Sequence, residues 1–369
     1  MNNYNTGLIF KWLKSENASS IKTKQLAKKT REAFDMTARE YRKLLSYGRE
    51  KTKVLERLMS ANEWDKIDFS KIPSKAGLIY KNAFARRDIL AKRYEAFAKS
   101  DKTKVNADTL YPHDIAHMAL KRGVQYRDIE DPERLMLQKY WDNLKDFYNG
   151  REENGLAVVD VSGSMYGTPI EAAISMGAYI ADKAHGPFAN HFITFSAYPK
   201  LVEFKGIDIV DKFNRCVDAD WGMNTNIQAV FDMLLDTAKN KHVKPEDMVS
   251  KIFIFSDMEF DECITFNAST KSHYWNGWDN YKTVSSIDEV NSDLEKIKKQ
   301  WEAAGYHFPK VIFWNLNSRN RTAIPAIGEG FSYISGFSPI MVETILGGKD
   351  GYDLMLEKIL SKRYNAVVA

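Results

Sequence analysis

The sequence predicts two architectures in one chain: a basic helical region over residues 1–150, then a doubly wound, mostly parallel-sheet α/β domain over residues 151–369. Three observations predict this division. Before Gly150 the apolar residues recur at helical spacing, whereas beyond it short continuous apolar runs alternate with helical stripes. The charge also changes sign there: residues 1–150 hold 31 Lys+Arg against 20 Asp+Glu, and residues 151–369 hold 22 against 29.

In the first region, Thr37-x-x-Glu40 reads as a capping box, with each side chain bonding the other's free backbone N–H. Tyr41, Leu44 and Leu45 follow on one helical face, and Gly48 reads as the stop. Similar stripes recur at Val54, Leu55, Leu58 and Met59, at Ile89, Leu90, Tyr94 and Phe97, and at Leu137, Tyr140, Trp141, Leu144 and Phe147. They fit helices stacked on their neighbours, as in a HEAT-like array, although no strict period repeats.

In the second region, Leu156–Val161, Phe192–Ser196, Lys251–Ser256 and Lys310–Asn315 are runs continuous enough to be buried on both faces, as parallel strands are. Between the first two lies a clearly punctuated helix. Thr168 reads as its N-cap, Pro169 as the first helical residue, Glu171 as the partner in a capping box and His185-Gly186-Pro187 as the stop. Two more helices are predicted from about Asn226 to Lys241 and from about Asp288 to Ala304.

Composition bounds the function. A chain of 369 residues with 44% hydrophobic content can build two ordinary domains. Its apolar runs fall short of the roughly 20 residues that cross a bilayer, and its first residues lack the pattern of a secretion signal, so no membrane role and a cytoplasmic location are expected. Cys216 and Cys263 stand outside metal-binding or redox spacings and read as reduced thiols.

The basic half suggests a polyanionic partner. Lys22, Lys24, Lys28, Lys29, Arg31, Arg39, Arg42 and Lys43, then Arg86, Arg87, Lys92 and Arg93, are interleaved with aromatics, which fits contact with RNA phosphates and stacking on bases. A solvated helix face competes with this reading.

Chemistry concentrates after the predicted strands. Ligands of open α/β sheets bind beyond the carboxyl ends of the strands, and three polar clusters fall there. They are Asp160-x-Ser162-x-Ser164, Trp221-Gly-Met-Asn-Thr225 and Phe255-Ser-Asp257-Met-Glu259-Phe-Asp261. Hard oxygen donors of this kind suit Mg²⁺ or Mn²⁺, although Asp, Ser and Gly also crowd ordinary turns.

The order of these clusters resembles the von Willebrand factor A module and its metal-ion-dependent adhesion site. The resemblance implies that Asp160, Ser162 and Ser164 are ligands from the first loop, Thr225 from the second and Asp257 from the third. Asp220, Glu259 and Asp261 lie near these loops and would hold the ligands in place.

A wider resemblance runs from about Phe10 to the end. It is carried by Lys11-Trp-Leu-Lys-Ser-Glu-Asn-Ala-Ser-Ser20, Met59-Ser-Ala-Asn-Glu-Trp64, Tyr111-Pro-His-Asp114, Trp221-Gly-Met-Asn-Thr225, Phe255-Ser-Asp-Met-Glu-Phe-Asp261, Val311-Ile-Phe-Trp-Asn-Leu316 and Ile334-Ser-Gly-Phe-Ser338. These segments are similar to the domain-of-unknown-function family numbered 2828. That family joins a helical region like the TROVE module of Ro-type RNA-binding proteins to a terminal von Willebrand A domain. Its typical members have a longer helical region ahead of the segment matching Lys11; if TROVE-like helices close into a ring, the resemblance leaves open whether this one does.

Rival chemistries are weaker. His113 and His117 have a spacing that can chelate Zn²⁺, but no third ligand follows at a recognisable interval. The insertion carrying His273, Tyr274, Trp275, Trp278 and Tyr281 reads either as a stacking rim near the third loop or as a loop folded over its own side chains. The expectation is therefore a non-enzymatic RNA-binding protein with a Mg²⁺-dependent binding module. A metal-dependent scaffold that captures a partner protein's carboxylate without RNA is the alternative. Phosphoryl hydrolysis ranks below both, for want of a second metal site or an evident base.

Overall fold

The computed structural model describes residue 10 and residues 12–51, 55–121, 125–151, 153–196, 198–219, 227–257, 287–317, 327–328, 331–336, 339–348 and 351–360. It divides into two compact units, Met1–Asn106 and Ala107–Ala369. The second unit therefore begins at Ala107, ahead of the change of sequence pattern at Gly150.

The first unit is helical: α1 (Ile21–Ala33), α2 (Ala38–Lys51), α3 (Leu55–Ser60), α4 (Ser74–Ala85) and α5 (Asp88–Lys99). The capping box forms as expected, with the Thr37 N–H donating to Glu40 Oε2 at 2.8 Å and the Glu40 N–H to Thr37 Oγ1 at 3.3 Å. Gly48 is not the stop, because α2 continues to Lys51. It is a close-approach point instead: a Cβ there would stand 2.2 Å from the Phe10 ring. Ala27, Tyr41 and Leu45 form one buried cluster. Phe69 anchors another, with ring centroids 5.6 Å from Phe84 and 5.2 Å from Tyr94.

The second unit opens with α6 (Pro112–Ala119), a short antiparallel pair β1 (Leu120–Lys121) and β2 (Gln125–Tyr126), and α7 (Asp131–Asp142). Then come β3 (Gly155–Val159), α8 (Thr168–Lys183), β4 (His191–Thr194), β5 (Leu201–Glu203), α9 (Ile209–Val217) and α10 (Ile227–Asn240). The remaining elements are β6 (Lys251–Ser256), α11 (Ile287–Ala303), β7 (Lys310–Asn315), β8 (Ile327–Gly328), β9 (Phe331–Ser335), α12 (Pro339–Gly347) and α13 (Gly351–Ile359).

The sheet has the order β5-β4-β3-β6-β7-β9-β8. All pairings are parallel except those of the edge strands β5 and β8. The four predicted strands are its β4, β3, β6 and β7. Strand alternation sends Leu156, Val158, Ile252, Ile254, Val311 and Phe313 into one core with Ile227, Phe231 and Leu234 of α10 and Leu294, Ile297 and Trp301 of α11. The other face packs on α8, where Gly177 lets the helix approach β3; a Cβ at that position would lie 2.7 Å from Val159 Cγ2.

Helix α8 explains why the second unit begins at Ala107. Every residue from Ile170 to Ala181 is buried, so the helix needs cover on the side away from the sheet. Residues 107–150 provide it. The Trp141 indole donates to Asp182 at 2.7 Å, the Phe147 N–H donates to the Tyr179 hydroxyl at 2.9 Å, and Arg134 forks onto Asp208 at 2.8 and 2.9 Å while also bonding Asp211. With these residues moved, the basic charge concentrates further. Residues 1–106 hold 25 Lys+Arg against 12 Asp+Glu, and residues 107–369 hold 28 against 37.

The start of α8 differs from the sequence reading. Gly167, at φ +97°, occupies the N-cap position, and Thr168 is already helical. Glu171 does not close a capping box but turns to His117 of α6, whose Nδ1 lies 3.0 Å from both carboxylate oxygens.

Candidate metal centre

Strand β3 leads to β4 on one side, and its other neighbour is β6. The strand order reverses between β3 and β6, so their carboxyl ends form the switch point where open α/β sheets bind ligands. Asp160 follows β3 and Asp257 follows β6. Their backbones are joined there, since the Asp160 N–H donates to the Phe255 carbonyl at 3.0 Å.

Asp160 is 1% exposed and Asp257 6%. Asp160 Oδ1 accepts from the Ser162 N–H at 2.8 Å, and Oδ2 accepts from the Ser256 hydroxyl at 2.7 Å. The Ser162 and Ser164 hydroxyls lie 3.0 Å apart. Burial raises the Asp160 carboxyl above the ordinary carboxylate range, and the nearby Asp257 pushes the same way, while the bonds from Ser162 and Ser256 pull it down.

The donor set fits a hard divalent cation. Two buried carboxylates with neighbouring hydroxyls offer oxygen alone, and a cation between the carboxylates would offset the repulsion that Asp160 meets. Asp160, Ser162, Ser164 and Asp257 are brought to one sheet edge; Thr225, Asp220, Glu259, Asp261 and the aromatic insertion lie outside the described residues. Among the described residues, no three His, Cys, Asp or Glu side chains gather as a metal cage, the His113–His117 pair included.

Three residues at this edge escaped the sequence analysis. Ser256, fully buried, ends β6 among apolar residues, and a lone hydroxyl there was the available signal. Asn317, just beyond β7, donates from Nδ2 to the Ser164 carbonyl at 2.7 Å and so ties a third strand end to the first loop. Tyr166, 58% exposed, stands two residues after Ser164, beyond the buried Met165.

The basic residues of the first unit divide into two groups. Lys22, Lys24, Lys28, Lys29, Arg39, Arg42, Lys43, Arg86 and Lys92 are exposed. Arg31 is engaged by Glu16 at 2.8 Å, Arg87 lies over the Trp64 ring at 4.4 Å, and Arg93 donates to the Asp65 and Ile67 carbonyls, each at 2.9 Å. Cys216 is a free, fully buried thiol, pushed up by burial, and Cys263 lies outside the described residues. Among the described residues no helix is long and apolar enough to cross a membrane.

A doubly wound sheet with an oxygen-donor cluster at its switch point defines the class of the second unit. Residues 154–365 match the family described as Domain of unknown function (DUF7788), and the chain belongs to that family. Residues 8–150 match Domain of unknown function (DUF2828), the family to which the sequence motifs pointed. A curated relative, "Uncharacterized protein L728" of Acanthamoeba polyphaga mimivirus, is 33% identical over 374 residues, covering 94% of this chain. The chain spans 60% of that relative's length. Among solved structures, the Deinococcus radiodurans RO (RSR) protein is similar at 14% identity and a TM-score of 0.41, over 95% of this chain and 75% of that one.

Proposed function

We propose that this is a non-enzymatic, cytoplasmic RNA-binding protein with a metal-dependent ligand-binding module of the von Willebrand A kind. The observation that carries the reading is the separation of two chemistries between two compact units. An excess of 25 basic over 12 acidic residues lies in residues 1–106, and the oxygen-donor cluster lies in the acidic remainder.

In the first unit, the exposed cations Lys22, Lys24, Lys28, Lys29, Arg39 and Lys43 would meet phosphates, with Arg86 and Lys92 as a further group. Arg31, Arg87 and Arg93 are already engaged by Glu16, by the Trp64 ring and by the Asp65 and Ile67 carbonyls. In the second unit, Asp160, Ser162, Ser164 and Asp257 would hold Mg²⁺ or Mn²⁺, with Thr225 as a further ligand. When bound, the ion supplies an open Lewis-acid position for an oxygen of a partner's carboxylate or phosphate. Ser256 and the Ser162 N–H orient Asp160, and Asn317 fixes the loop that carries Ser164.

RNA binding measured across a salt series tests the first half. A Kd that weakens steeply with salt supports it, and no affinity or no salt slope defeats it. Partner recovery that survives ribonuclease but is lost with EDTA would favour the carboxylate-capturing scaffold. Nuclease or phosphatase turnover abolished by Asp160→Ala would overturn the non-enzymatic reading.

A further inference from the structure

The first unit contains a cavity of about 680 Å³, within the ~300–1,000 Å³ range typical of small-ligand sites. Arg42, Ser46 and Arg49 reach it from one face of α2, and Arg57 and Ser60 from α3. Among the described residues, three arginines line it against one carboxylate, Glu56, which accepts from the Tyr80 hydroxyl at 3.4 Å.

The three guanidiniums are held differently. Arg49 donates from Nε to the Phe10 carbonyl at 3.3 Å and from Nη2 to the Leu13 carbonyl at 3.0 Å, which fixes its position. Arg57 has an exposed ion pair with Glu50 at 3.7 Å, a weak contact that a better anion can displace. Arg42 is exposed and, among the described residues, forms no hydrogen bond or ion pair. A planar guanidinium that, among the described residues, has no partner and lines a cavity with three serine hydroxyls matches the forked recognition of phosphate oxygens.

We infer that this cavity binds a phosphate monoester, carried on the end of an RNA strand or on a free nucleotide. Charge selects the monoester. Among the described lining residues, three arginines and one glutamate leave two positive charges in excess once the anion displaces Glu50 from Arg57, which balances the charge of about −1.5 to −2 on a monoester near neutrality. An internal phosphodiester carries only one negative charge and would leave the cavity partly uncompensated. The inference rests on the RNA reading only for the identity of the chain that bears the phosphate.

The test compares the intact protein's affinity for one short single-stranded RNA with a terminal phosphate monoester and for the same RNA ending in a hydroxyl, with AMP as a separate ligand. The phosphorylated RNA should bind at least about tenfold more tightly, and Arg42→Gln and Arg57→Gln should each bring the ratio of the two affinities close to one. Circular dichroism confirms that the variants are folded. AMP that displaces the phosphorylated RNA identifies the monoester itself as the recognised group. If AMP saturates the protein in an Arg42-dependent manner while neither RNA binds, the cavity stands and the RNA reading falls. Equal affinities for the two RNAs with no AMP binding overturn the inference, as does AMP binding unchanged by both substitutions.

Discussion

Ser256, at the end of β6, donates its hydroxyl to Asp160 Oδ2, at the end of β3, across 2.7 Å of fully buried space. The bond orients a carboxylate whose other oxygen is already taken by the Ser162 N–H, so the geometry of Asp160 is set before any ligand arrives. Ser256→Ala should therefore weaken Mg²⁺ binding by about 10–100-fold. It should also cost about 1–3 kcal/mol in EDTA, because a buried acceptor loses its donor. Calorimetric titration and urea unfolding measure the two effects, and a wild-type Mg²⁺ affinity would separate Ser256 from the site.

Asp160→Asn keeps the shape of the side chain while removing its charge from beside Asp257. Mg²⁺ should raise the melting temperature of the wild type but not that of the variant, and the variant should match or exceed the wild type's stability in EDTA. Thermal unfolding with and without the ion decides. A Mg²⁺-induced shift equal to that of wild type would remove Asp160 from the ligand set.

The fork of Arg134 onto Asp208 and Asp211 predicts an acid-sensitive step. Partial burial raises the Asp211 carboxyl, but the Ile207 N–H and the Arg134 guanidinium outweigh it and hold the group below its ordinary value. A depressed carboxylate contributes stability that is full above its unfolded pKa of about 3.9 and is lost as pH falls through the folded value. Arg134→Ala should cost about 1–2 kcal/mol at neutral pH and flatten the loss of stability below about pH 4. Urea unfolding over an acid pH series reads both.

Two fragments test where the α/β unit begins. Residues 107–369 should fold cooperatively, whereas residues 151–369 should aggregate or unfold, because they leave the outer side of α8 without cover. Soluble yield and a thermal transition distinguish them.

The basic surface makes a paired prediction. Lys24→Gln with Lys28→Gln should lower the slope of RNA affinity against salt by about 0.7 for each phosphate that the variant no longer neutralises. Arg93→Gln should leave that slope unchanged and destabilise the first unit, because its guanidinium serves two backbone carbonyls. Fluorescence anisotropy across a salt series measures the slopes.

Much of this was legible in the residues. Lys251–Ser256 and Lys310–Asn315 declared themselves as strands because buried parallel strands are uninterrupted apolar runs, whereas β5 and β8, short antiparallel edge strands, leave no such trace. The Thr37–Glu40 box was readable because both partners lie within one helical turn. Glu171 misled at the same spacing, because its carboxylate found His117 on another helix. The extent of the second unit was written in Ala172-Ala-Ile-Ser-Met-Gly-Ala-Tyr-Ile-Ala181, apolar on every side and so in need of two covering layers. Ser256 and Asn317 stayed hidden because their roles depend on which strand ends meet, and strand order is invisible to local spacing.

The bond between Ser256 and Asp160 joins positions 96 residues apart. During folding, neither carboxylate of the pair can be set against the other until the two central strands have met, one of the slower and costlier closures a chain makes. Any cation that requires both acids is consequently a late arrival, and its capture can serve as a clock: a metal-sensitive signal followed through refolding would time the assembly of the middle of the sheet.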